Sequence, residues 1–405
     1  MIIINLTSNR FWRRASVNSV VKQKLIRSPF SSTKKLDNDE FQTTQRSPLL
    51  TNSDELRAIV NSFPIGIDYA FGYGSGVLKQ QSSGLKDSDS KPAMVDIILA
   101  VNDPYSWHQR NLQCHPQHYS GFARKGGPRF VNWMQKLGAR LYFHPFVNVE
   151  ASIENDVNDA TKHQTIQREI KYGVVSTDDL IEDLMCWKYL YLAGRMHKPT
   201  VEIDLKTLMK NETNLLQIDR KAEIADAQHQ NLLAAVSASI LLHGGGEQED
   251  SLLITHLYNT IAGISYAGDI RMQTGAEDPN KVKKLVESPG VLRLWEDMYS
   301  TIFRDLQSLG ILTKTQTKVE IDLNDIAMRK QLIHNLPQRL NSDRFVGVSS
   351  SKLSILHGSE LLRTELANIV APAAKIQSIK GLFSAGISKS FKYATAKLAK
   401  GRLTK

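Results

Sequence analysis

One acidic residue interrupts an apolar β-type stretch of the chain, and it limits how that stretch can fold. In MVDIILAV, residues 94–101, Asp96 is the only charged side chain. The Val and Ile residues around it predict a strand that is buried in a sheet. Because burying an unpaired carboxylate is costly, a buried aspartate requires a cationic partner or a metal ion. The sequence therefore predicts a compensated charge, and hence a candidate functional residue, inside a sheet.

The β-type stretch before Asp96 ends in a glycine-rich turn. In FGYGSGVL, Gly72, Gly74 and Gly76 surround Ser75. Glycines allow backbone conformations in which successive N–H groups converge on a phosphate oxygen, and a serine adds a hydroxyl donor. The spacing fits neither the dinucleotide-binding G-x-G-x-x-G fingerprint nor the P-loop, because no Gly-Lys-Ser/Thr follows. A purely structural turn is the alternative.

The turn and the acid together favour phosphate chemistry. A Gly-Ser turn on one strand and an acid on the next form the core arrangement of nucleotidyltransferases, in which the turn holds a triphosphate and the acid holds Mg²⁺. Many of these enzymes carry two acids at positions i and i+2, which face one side of the strand. Here the residue two after Asp96 is Ile98. A second metal ligand must come from elsewhere, and the candidates are Asp68, Glu202 and Asp204.

Hydrophobic periodicity divides the chain into an α/β part and a helical part. Short β-type stretches alternate with helical ones up to residue 206, and helical patterns dominate afterwards. We therefore predict a mixed-sheet domain of nucleotidyltransferase type over residues 46–206 and a helical domain over residues 207–365. The terminal segments, residues 1–45 and 366–405, are treated separately.

Three local patterns in the α/β part predict element boundaries. Residues 54–63, DELRAIVNSF, carry apolar residues at helical spacing and predict a short helix. Residues Leu141–Val147 predict a strand that follows a glycine stop. Thr177 precedes two aspartates, so we expect it to be the N-cap of a helix that has acids in its first turn.

The first 36 residues have the composition of a targeting segment. They carry eight Lys or Arg residues and no acid, together with several serines and scattered apolar residues. Such a composition is typical of a mitochondrial transit peptide. A disordered basic tail is the alternative, and in either case residues 1–45 are left out of the fold prediction.

The C-terminal segment, residues 366–405, predicts a basic amphipathic helix. It contains no acid, and residues 375–405 carry eight basic side chains. An apolar stripe at steps of three and four consists of Ile376, Ile379, Phe383, Ile387, Phe391, Ala394 and Leu398. Lysines lie mostly beside that stripe, at positions 380, 389, 392 and 397. This pattern favours peripheral binding to an anionic membrane surface, and docking on the protein's own domain is the alternative.

The remaining composition restricts the function class. Between its two basic ends the chain is net acidic, which argues against a nucleic-acid partner. Two cysteines, Cys114 and Cys186, form neither a disulfide framework nor a metal motif and indicate a reducing compartment. The apolar runs are too short to cross a bilayer.

Several motifs, in this order, resemble the mitochondrial phosphatidate cytidylyltransferase family, also described as mitochondrial translocator assembly and maintenance proteins. They are FGYGSGV, VDIILAV, WHQRNLQCHPQHYSG, IKYGVVS, LYLAGRMHKP, NTIAGISYAGDIRM and EDPNKV, and the resemblance covers roughly residues 55–300. The resemblance implies a nucleotidyltransferase domain, a winged-helix-like helical domain and a C-terminal membrane-binding segment. It also implies a transferase that makes CDP-diacylglycerol and pyrophosphate from phosphatidic acid and CTP with Mg²⁺. This enzyme would be peripheral on the matrix side of the inner mitochondrial membrane and would supply cardiolipin and phosphatidylglycerol synthesis.

The resemblance also assigns roles to individual residues. Gly74, Ser75 and Gly76 would bind the phosphates of CTP. Asp96 would ligate Mg²⁺, and Lys171 would neutralise phosphate charge with Tyr172 beside it, so that Asp96 and Lys171 are the expected catalytic residues. Further candidates, each with a structural role as the alternative, are His108, His118, Tyr119, Asp269, Arg271 and Lys281. For Asp269 and Arg271 that alternative is an ion pair with each other.

Two other functions remain as alternatives. A non-catalytic factor for the assembly and maintenance of inner-membrane translocases would keep the membrane contact and lack the chemistry. A nucleotidyltransferase acting on RNA would keep the chemistry, but the acidic middle of the chain argues against this acceptor.

Overall fold

A computed structural model gives the fold of most of the chain. It describes residues 53–78, 93–154, 163–205, 214–243, 251–273, 278, 280–288, 290–345 and 352–385. The predicted transit peptide (residues 1–45), the polar linker at 79–92 and the end of the predicted membrane-binding segment (residues 386–405) lie outside these residues.

The α/β part is built on a five-stranded mixed sheet. Its strands are β1 (Ile67–Tyr73), β2 (Val95–Val101), β3 (Tyr142–Glu154), β4 (His163–Ser176) and β5 (Thr200–Glu202). They lie in the order β3-β4-β2-β1-β5. β2 and β4 are parallel, whereas the other neighbouring pairs are antiparallel. The predicted α/β class is confirmed, and so is the adjacency of the glycine-turn strand and the Asp96 strand.

Strand β2 is buried on both faces because it lies at the centre of the sheet. Ile97 and Leu99 point into one apolar cluster, which also contains Trp107. Ile98 and Ala100 point into the other, which continues into the helical part. Since successive side chains alternate between faces, Asp96 points to the same face as Ile98. That face, called the front face below, carries the candidate site.

The hairpin formed by β3 and β4 is longer than predicted. The prediction ended the third strand at Val147, whereas β3 continues to Glu154 and pairs with β4 from its start at His163. The far arms of the hairpin pair polar residues, such as Glu150 with Gln167 and Ser152 with Thr165. On the other face of these arms, Val149, Ala151 and Ile153 alternate with the polar residues and pack in an apolar cluster, so the sequence carried an alternation that the prediction did not use.

Five helices accompany the sheet. They are α1 (Ser53–Asn61), α2 (Pro104–Cys114), α3 (Gly121–Lys136), α4 (Thr177–Cys186) and α5 (Ala193–Met196). Helix α1 lies where a helix was predicted. The predicted N-cap Thr177 was wrong by one residue, because Ser176 Oγ accepts the hydrogen bond from the Asp179 backbone N–H at 3.1 Å. Thr177 instead donates its hydroxyl to Asp68 at 2.6 Å.

The second part is mostly helical, as predicted. Its helices are α6 (Asn214–His243), α7 (Ile254–Ile264), α8 (Ile270–Gln273), α9 (Lys281–Glu287), α10 (Val291–Ser308), α11 (Ile326–His334) and α12 (Lys352–Ala385). A small sheet of β6 (Ser251–Leu253), β7 (Thr313–Lys314) and β8 (Lys318–Glu320) has the order β6-β8-β7. Stacked Trp295 and Tyr299 rings lie in the core, 5.8 Å apart. None of the described helices combines the length and apolar character that crossing a bilayer requires.

Helix α12 packs its last turns on the loop between α3 and β3. Lys380 is buried there and donates hydrogen bonds to the carbonyl oxygens of Leu137 at 2.8 Å and Leu141 at 2.9 Å. Gln377 donates to the same Leu141 carbonyl at 3.2 Å. Burial lowers the pKa of Lys380 to about 7. The expectation that Lys380 is a membrane-facing lysine was wrong, because its amine is buried against the loop and donates to carbonyl oxygens there.

We expect Lys380→Met to lower the free energy of unfolding by about 1–3 kcal/mol, because it removes the buried hydrogen bonds of the amine to the Leu137 and Leu141 carbonyl oxygens. Lys375→Met, at an exposed position of the same helix, is the matched control and should change stability by less than about 0.5 kcal/mol. Urea unfolding of both variants measures the difference. Equal stabilities would contradict the anchoring role of Lys380.

Candidate active site

The glycine-rich turn leaves β1 in a conformation that requires glycine at two positions. Gly74 has φ of 79°, in the left-handed region, and its carbonyl accepts from the Leu78 backbone N–H at 2.8 Å. A Cβ on Gly76 would lie 2.0 Å from the Met94 carbonyl oxygen, so the turn is pressed against the start of the Asp96 strand. Ser75 is exposed at the tip. The tight turn thus presents Ser75 and its neighbouring backbone beside β2.

Strand register brings an acid, a phenol and a lysine together on the front face. Asp96 lies opposite Tyr73 of β1 and opposite Lys171 of β4. Asp96 Oδ1 accepts from the Tyr73 hydroxyl at 3.3 Å and lies 3.4 Å from Lys171 Nζ. A Cβ placed on Gly74 would be 3.6 Å from Asp96 Oδ2, so the second carboxylate oxygen faces the turn. The structure therefore brings together Gly74, Asp96 and Lys171.

Neighbouring groups keep Lys171 charged, and burial keeps Tyr73 neutral. Burial acts to lower the pKa of Lys171, but the neighbouring Tyr73 and Asp96 outweigh it, so that its pKa lies above the usual range and the lysine stays charged. Its Nζ also lies 4.5 Å from the centre of the Phe143 ring. Burial raises the pKa of Tyr73 to about 12, which keeps it a neutral hydrogen-bond donor.

An arginine that was not singled out in the sequence completes the cluster. The guanidinium of Arg195, in α5, lies 4.2 Å from the centre of the Tyr73 ring and 5.3 Å from that of Tyr191. Its Nε is buried and has no hydrogen-bond partner among the described residues. Tyr73, Tyr191 and Asp96 outweigh the effect of burial and raise the pKa of Arg195, so its positive charge is fixed. Arg195 lies in LYLAGRMHKP, and its presence in that motif was the one signal in the sequence.

The loop before Arg195 is organised by a single carboxylate. Asp183, at the end of α4, is buried and accepts hydrogen bonds from five consecutive backbone N–H groups, those of residues 189–193, at 2.7–3.1 Å. Trp187 and Leu190 adopt positive φ values of 49° and 52° to allow this wrapping. Helix α4 ends at Cys186 and does not continue through this stretch. The loop instead reverses the chain and directs Tyr191 and Arg195 toward Tyr73.

Tyr172 and the candidate aromatic residues lie on the opposite face of the sheet. Tyr172 is fully buried, and its hydroxyl contacts Asn111 Nδ2 at 2.9 Å and His118 Nδ1 at 3.0 Å. His108 contacts the Tyr119 hydroxyl at 2.9 Å and Gln135 at 2.8 Å. The expectation that Tyr172 lies beside Lys171 in the same pocket fails, since consecutive strand residues point to opposite faces. This buried network, with His144 stacked on Tyr172, supports α2 and α3 beneath the sheet.

The candidate residues of the helical part, Asp269, Arg271 and Lys281, have different contacts. Arg271 Nη2 pairs with the buried Asp269 at 2.6 Å, which is the pairing alternative. Lys281 lies 5.5 Å from the centre of the Tyr266 ring, which Lys198 approaches to 5.0 Å. Repulsion from Arg195 and Lys281 adds to burial in lowering the pKa of Lys198. Lys281 and Arg195 are therefore both close enough to Lys198 for their positive charges to act on it.

The candidate second metal ligands are engaged elsewhere. Asp68 accepts from Thr177, and Glu202 forms an ion pair with Lys221. Asp204 is exposed beyond β5. Within the part of the chain that the structure describes, no three acidic, His or Cys side chains form a group that could hold a metal ion. Asp96 is thus the acid that faces the turn.

Comparison with known proteins matches most of this chain to one family. The family model described as mitochondrial phosphatidate cytidylyltransferase matches residues 56–400. A Schizosaccharomyces pombe protein of that name is 30% identical over 90% of this chain and 88% of its own length. Proteins of the same name from Bos taurus and Xenopus laevis are 34% and 33% identical over 85% of this chain, and over 93% and 94% of their own lengths.

Acid should destabilise the protein through the buried histidines. Burial lowers the pKa of His108 and of His118 from 6.5 to about 4. Between pH 6.5 and 4 the unfolded chain therefore binds protons that the folded chain does not, and stability falls as the pH falls. His108→Gln should make this slope shallower by up to about 1.4 kcal/mol per pH unit.

Urea unfolding at a series of pH values measures that slope. His357→Gln, at an exposed histidine of α12, is the matched control and should keep the slope of the parent chain. An unchanged slope in His108→Gln would show that His108 titrates alike in the folded and unfolded states.

Proposed function

The chain belongs to the mitochondrial phosphatidate cytidylyltransferase family, and on this premise we propose that CTP and phosphatidic acid react on the front face of the sheet. The proposed site consists of the turn Gly74–Ser75–Gly76, Asp96 and Lys171, with Tyr73 and Arg195 added by the structure. The single observation that carries it is the register that sets Asp96 between Tyr73, at the end of the turn strand, and Lys171 of β4.

The protein is an enzyme that transfers CMP from CTP to phosphatidic acid. The products are CDP-diacylglycerol and pyrophosphate, and the reaction supplies mitochondrial cardiolipin synthesis. A phosphate oxygen of phosphatidic acid forms a bond to the α-phosphorus of CTP, and the bond from that phosphorus to the bridging oxygen of the pyrophosphate breaks. The site has to bind a triphosphate and a lipid phosphate, and to neutralise the charge of the leaving pyrophosphate.

The nucleophile needs little help from a general base. The second ionisation of a phosphate monoester lies near pH 6, so phosphatidic acid is mostly a dianion at neutral pH. The protein therefore has to hold two anions in line against their mutual repulsion. An arrangement with one acid and two fixed cations suits this task, whereas an enzyme that attacks with a sugar hydroxyl must also remove a proton.

Lys171 and Arg195 would counter the charge of the phosphates. Both are positively charged at neutral pH, and both are held by aromatic rings, Phe143 beneath Lys171 and Tyr73 beneath Arg195. The buried Nε of Arg195 has no partner within the part of the chain that the structure describes, which supports a phosphate oxygen as its acceptor. The exposed Ser75 would contribute a binding hydroxyl at the turn, not a nucleophile.

The residues present fit a magnesium ion that is bound together with CTP. Mg²⁺ is usually held by one or two carboxylates, with phosphates and waters supplying the other ligands, so one aspartate facing a phosphate-binding turn is sufficient. Asp96 would be that ligand, through the oxygen that faces Gly74. When bound, the ion would supply positive charge that offsets the negative charge developing on the phosphates.

The finer fold and location are part of the same proposal. The turn and acid on adjacent strands support a nucleotidyltransferase-type domain up to about residue 206. Helices α7 and α10 beside the β7–β8 hairpin support a winged-helix-like domain after it. The relatives are named as mitochondrial proteins, and we place this enzyme on the matrix side of the inner membrane. A basic C-terminal segment would make the contact with anionic lipid, and the exposure of Ile376, Ile379 and Phe383 supports this.

We expect Asp96→Asn to reduce CTP-dependent labelling of phosphatidic acid by about 10³-fold or more, because the site loses the charge that holds the metal and orients Lys171. The assay uses purified protein, phosphatidic acid vesicles and labelled CTP. Calorimetry gives a second readout, since Mg²⁺ should strengthen CTP binding to the parent chain and not to the variant.

Asp226→Asn, at an exposed position of α6, is the control and should keep full activity. Near-normal labelling by folded Asp96→Asn would overturn the assignment of the site. A purified parent chain that makes no lipid-linked product with Mg²⁺ would favour the non-catalytic assembly factor.

Arg195→Gln should lower kcat/KM for CTP by about 10- to 100-fold through loss of a charged hydrogen bond to phosphate. It should also weaken inhibition by pyrophosphate, which a merely structural role of Arg195 would leave unchanged. Arg195→Lys should recover part of the loss, because it keeps the charge but not the planar group that stacks on Tyr73. Arg293→Gln, exposed on α10, is the control.

A further inference from the structure

The structure exposes an apolar and basic surface where α3 meets the end of α12. Trp133 is 56% exposed on α3, and Leu137, one turn later, is 36% exposed. Trp107, Trp187 and Trp295 are all fully buried. An exposed tryptophan next to an exposed leucine is typical of a surface that contacts a partner.

Helix α12 contributes a second row of exposed apolar side chains to the same surface. Ile376, Ile379 and Phe383 share one side of the helix and are 38%, 49% and 51% exposed. The two rows are held together by Lys380, which donates to the Leu137 carbonyl, and by Ile376, which packs against Gly138. We call this surface the α3–α12 face; it comprises Arg129, Trp133, Lys136, Leu137, Ile376, Ile379 and Phe383.

The charge around the α3–α12 face selects the partner. Helix α3 contains no acid and carries four basic side chains, of which Arg129 and Lys136 lie at helical spacing from Trp133. The chain also has no acid after Glu365. Each basic residue near an anionic membrane contributes about 1 kcal/mol, and tryptophan favours the headgroup boundary. These features together fit an anionic lipid bilayer.

We propose that the α3–α12 face is a rigid bilayer-binding surface, separate from residues 386–405, and that α3 inserts Trp133 at the headgroup level. Its place in the chain also gives it a role. The loop that Lys380 anchors ends at Leu141, and Phe143, two residues later, lies under Lys171. A bilayer bound at this face would therefore contact residues that lie a few positions before Phe143 in the sequence. The ring of Phe143, in β3, lies beside Lys171. Presentation of the lipid phosphate to Lys171 rests on the proposed function, whereas the bilayer contact itself does not.

Quenching of tryptophan emission by brominated lipids tests the contact. The probe is a full-length chain carrying Trp12→Phe, so that Trp133 is its one exposed tryptophan among the residues the structure describes. Vesicles of phosphatidylcholine and phosphatidylglycerol with brominated acyl chains should quench this chain, and Trp133→Phe should abolish the quenching. Quenching that persists in Trp133→Phe would overturn the proposal. Absence of quenching in the parent would also overturn it, and this result is expected if residues 386–405 cover the face.

Vesicle flotation and activity give an independent test. Trp133→Glu should weaken binding to the same vesicles by about tenfold or more. It should also lower the ratio of activity on vesicular phosphatidic acid to activity on a soluble short-chain phosphatidic acid. Leu309→Glu, at a leucine 70% exposed at the end of α10, is the matched control and should change neither quantity.

The outcomes separate this proposal from the proposed function. A fall of both activities together in Trp133→Glu would overturn the bilayer role, because soluble substrate needs no membrane. Sedimentation that shows a dimer in the parent and a monomer in Trp133→Glu, with unchanged vesicle binding, would also overturn it and assign the face to a second copy of the chain. Failure of the Asp96→Asn test would leave the quenching result valid.

Discussion

The negative charge of Asp96, inside a sheet, is the constraint around which the front face is organised. A carboxylate in an apolar strand is stable only if its surroundings supply donors or cations. Here the pairing of β1, β2 and β4 supplies them, because Tyr73 and Lys171 occupy the positions next to Asp96 on either side. A shift of either strand by one residue would send its polar side chain to the other face and leave the carboxylate without compensation.

A second buried carboxylate, that of Asp183, organises the loop beside the site. Asp183 gathers five backbone N–H groups, and this converts a stretch with helical periodicity into a tight reversal of the chain. The reversal determines where Arg195 lies, and Arg195 in turn covers Tyr73. The cationic character of the site therefore depends on a residue that touches no substrate. The two faces of the sheet are also used differently, since the front face carries fixed charge and the opposite face holds a network of neutral histidines and tyrosines.

The C-terminal helix docks on the protein's own domain and still keeps apolar side chains exposed. Lys380 and Gln377 dock it on the loop between α3 and β3, while Ile376, Ile379 and Phe383 remain exposed. Docking on the protein's own domain thus orients the apolar side chains instead of hiding them. The consequence is a surface whose orientation is fixed relative to Lys171, as an enzyme acting on a lipid in a membrane requires.

The sequence alone determined the α/β and helical parts, the strand that carries Asp96, the adjacent glycine-rich turn and the family. These follow from local patterns: alternation, periodicity, glycine spacing and motif order. Only the tertiary structure decided that Arg195 joins Lys171 near Asp96, that Tyr172 points away from them, and that Lys380 is buried. The physical reason is that these facts depend on strand register and on hydrogen bonds between residues far apart in the chain. A local pattern shows that a charge must be compensated, but long-range packing decides which residue compensates it.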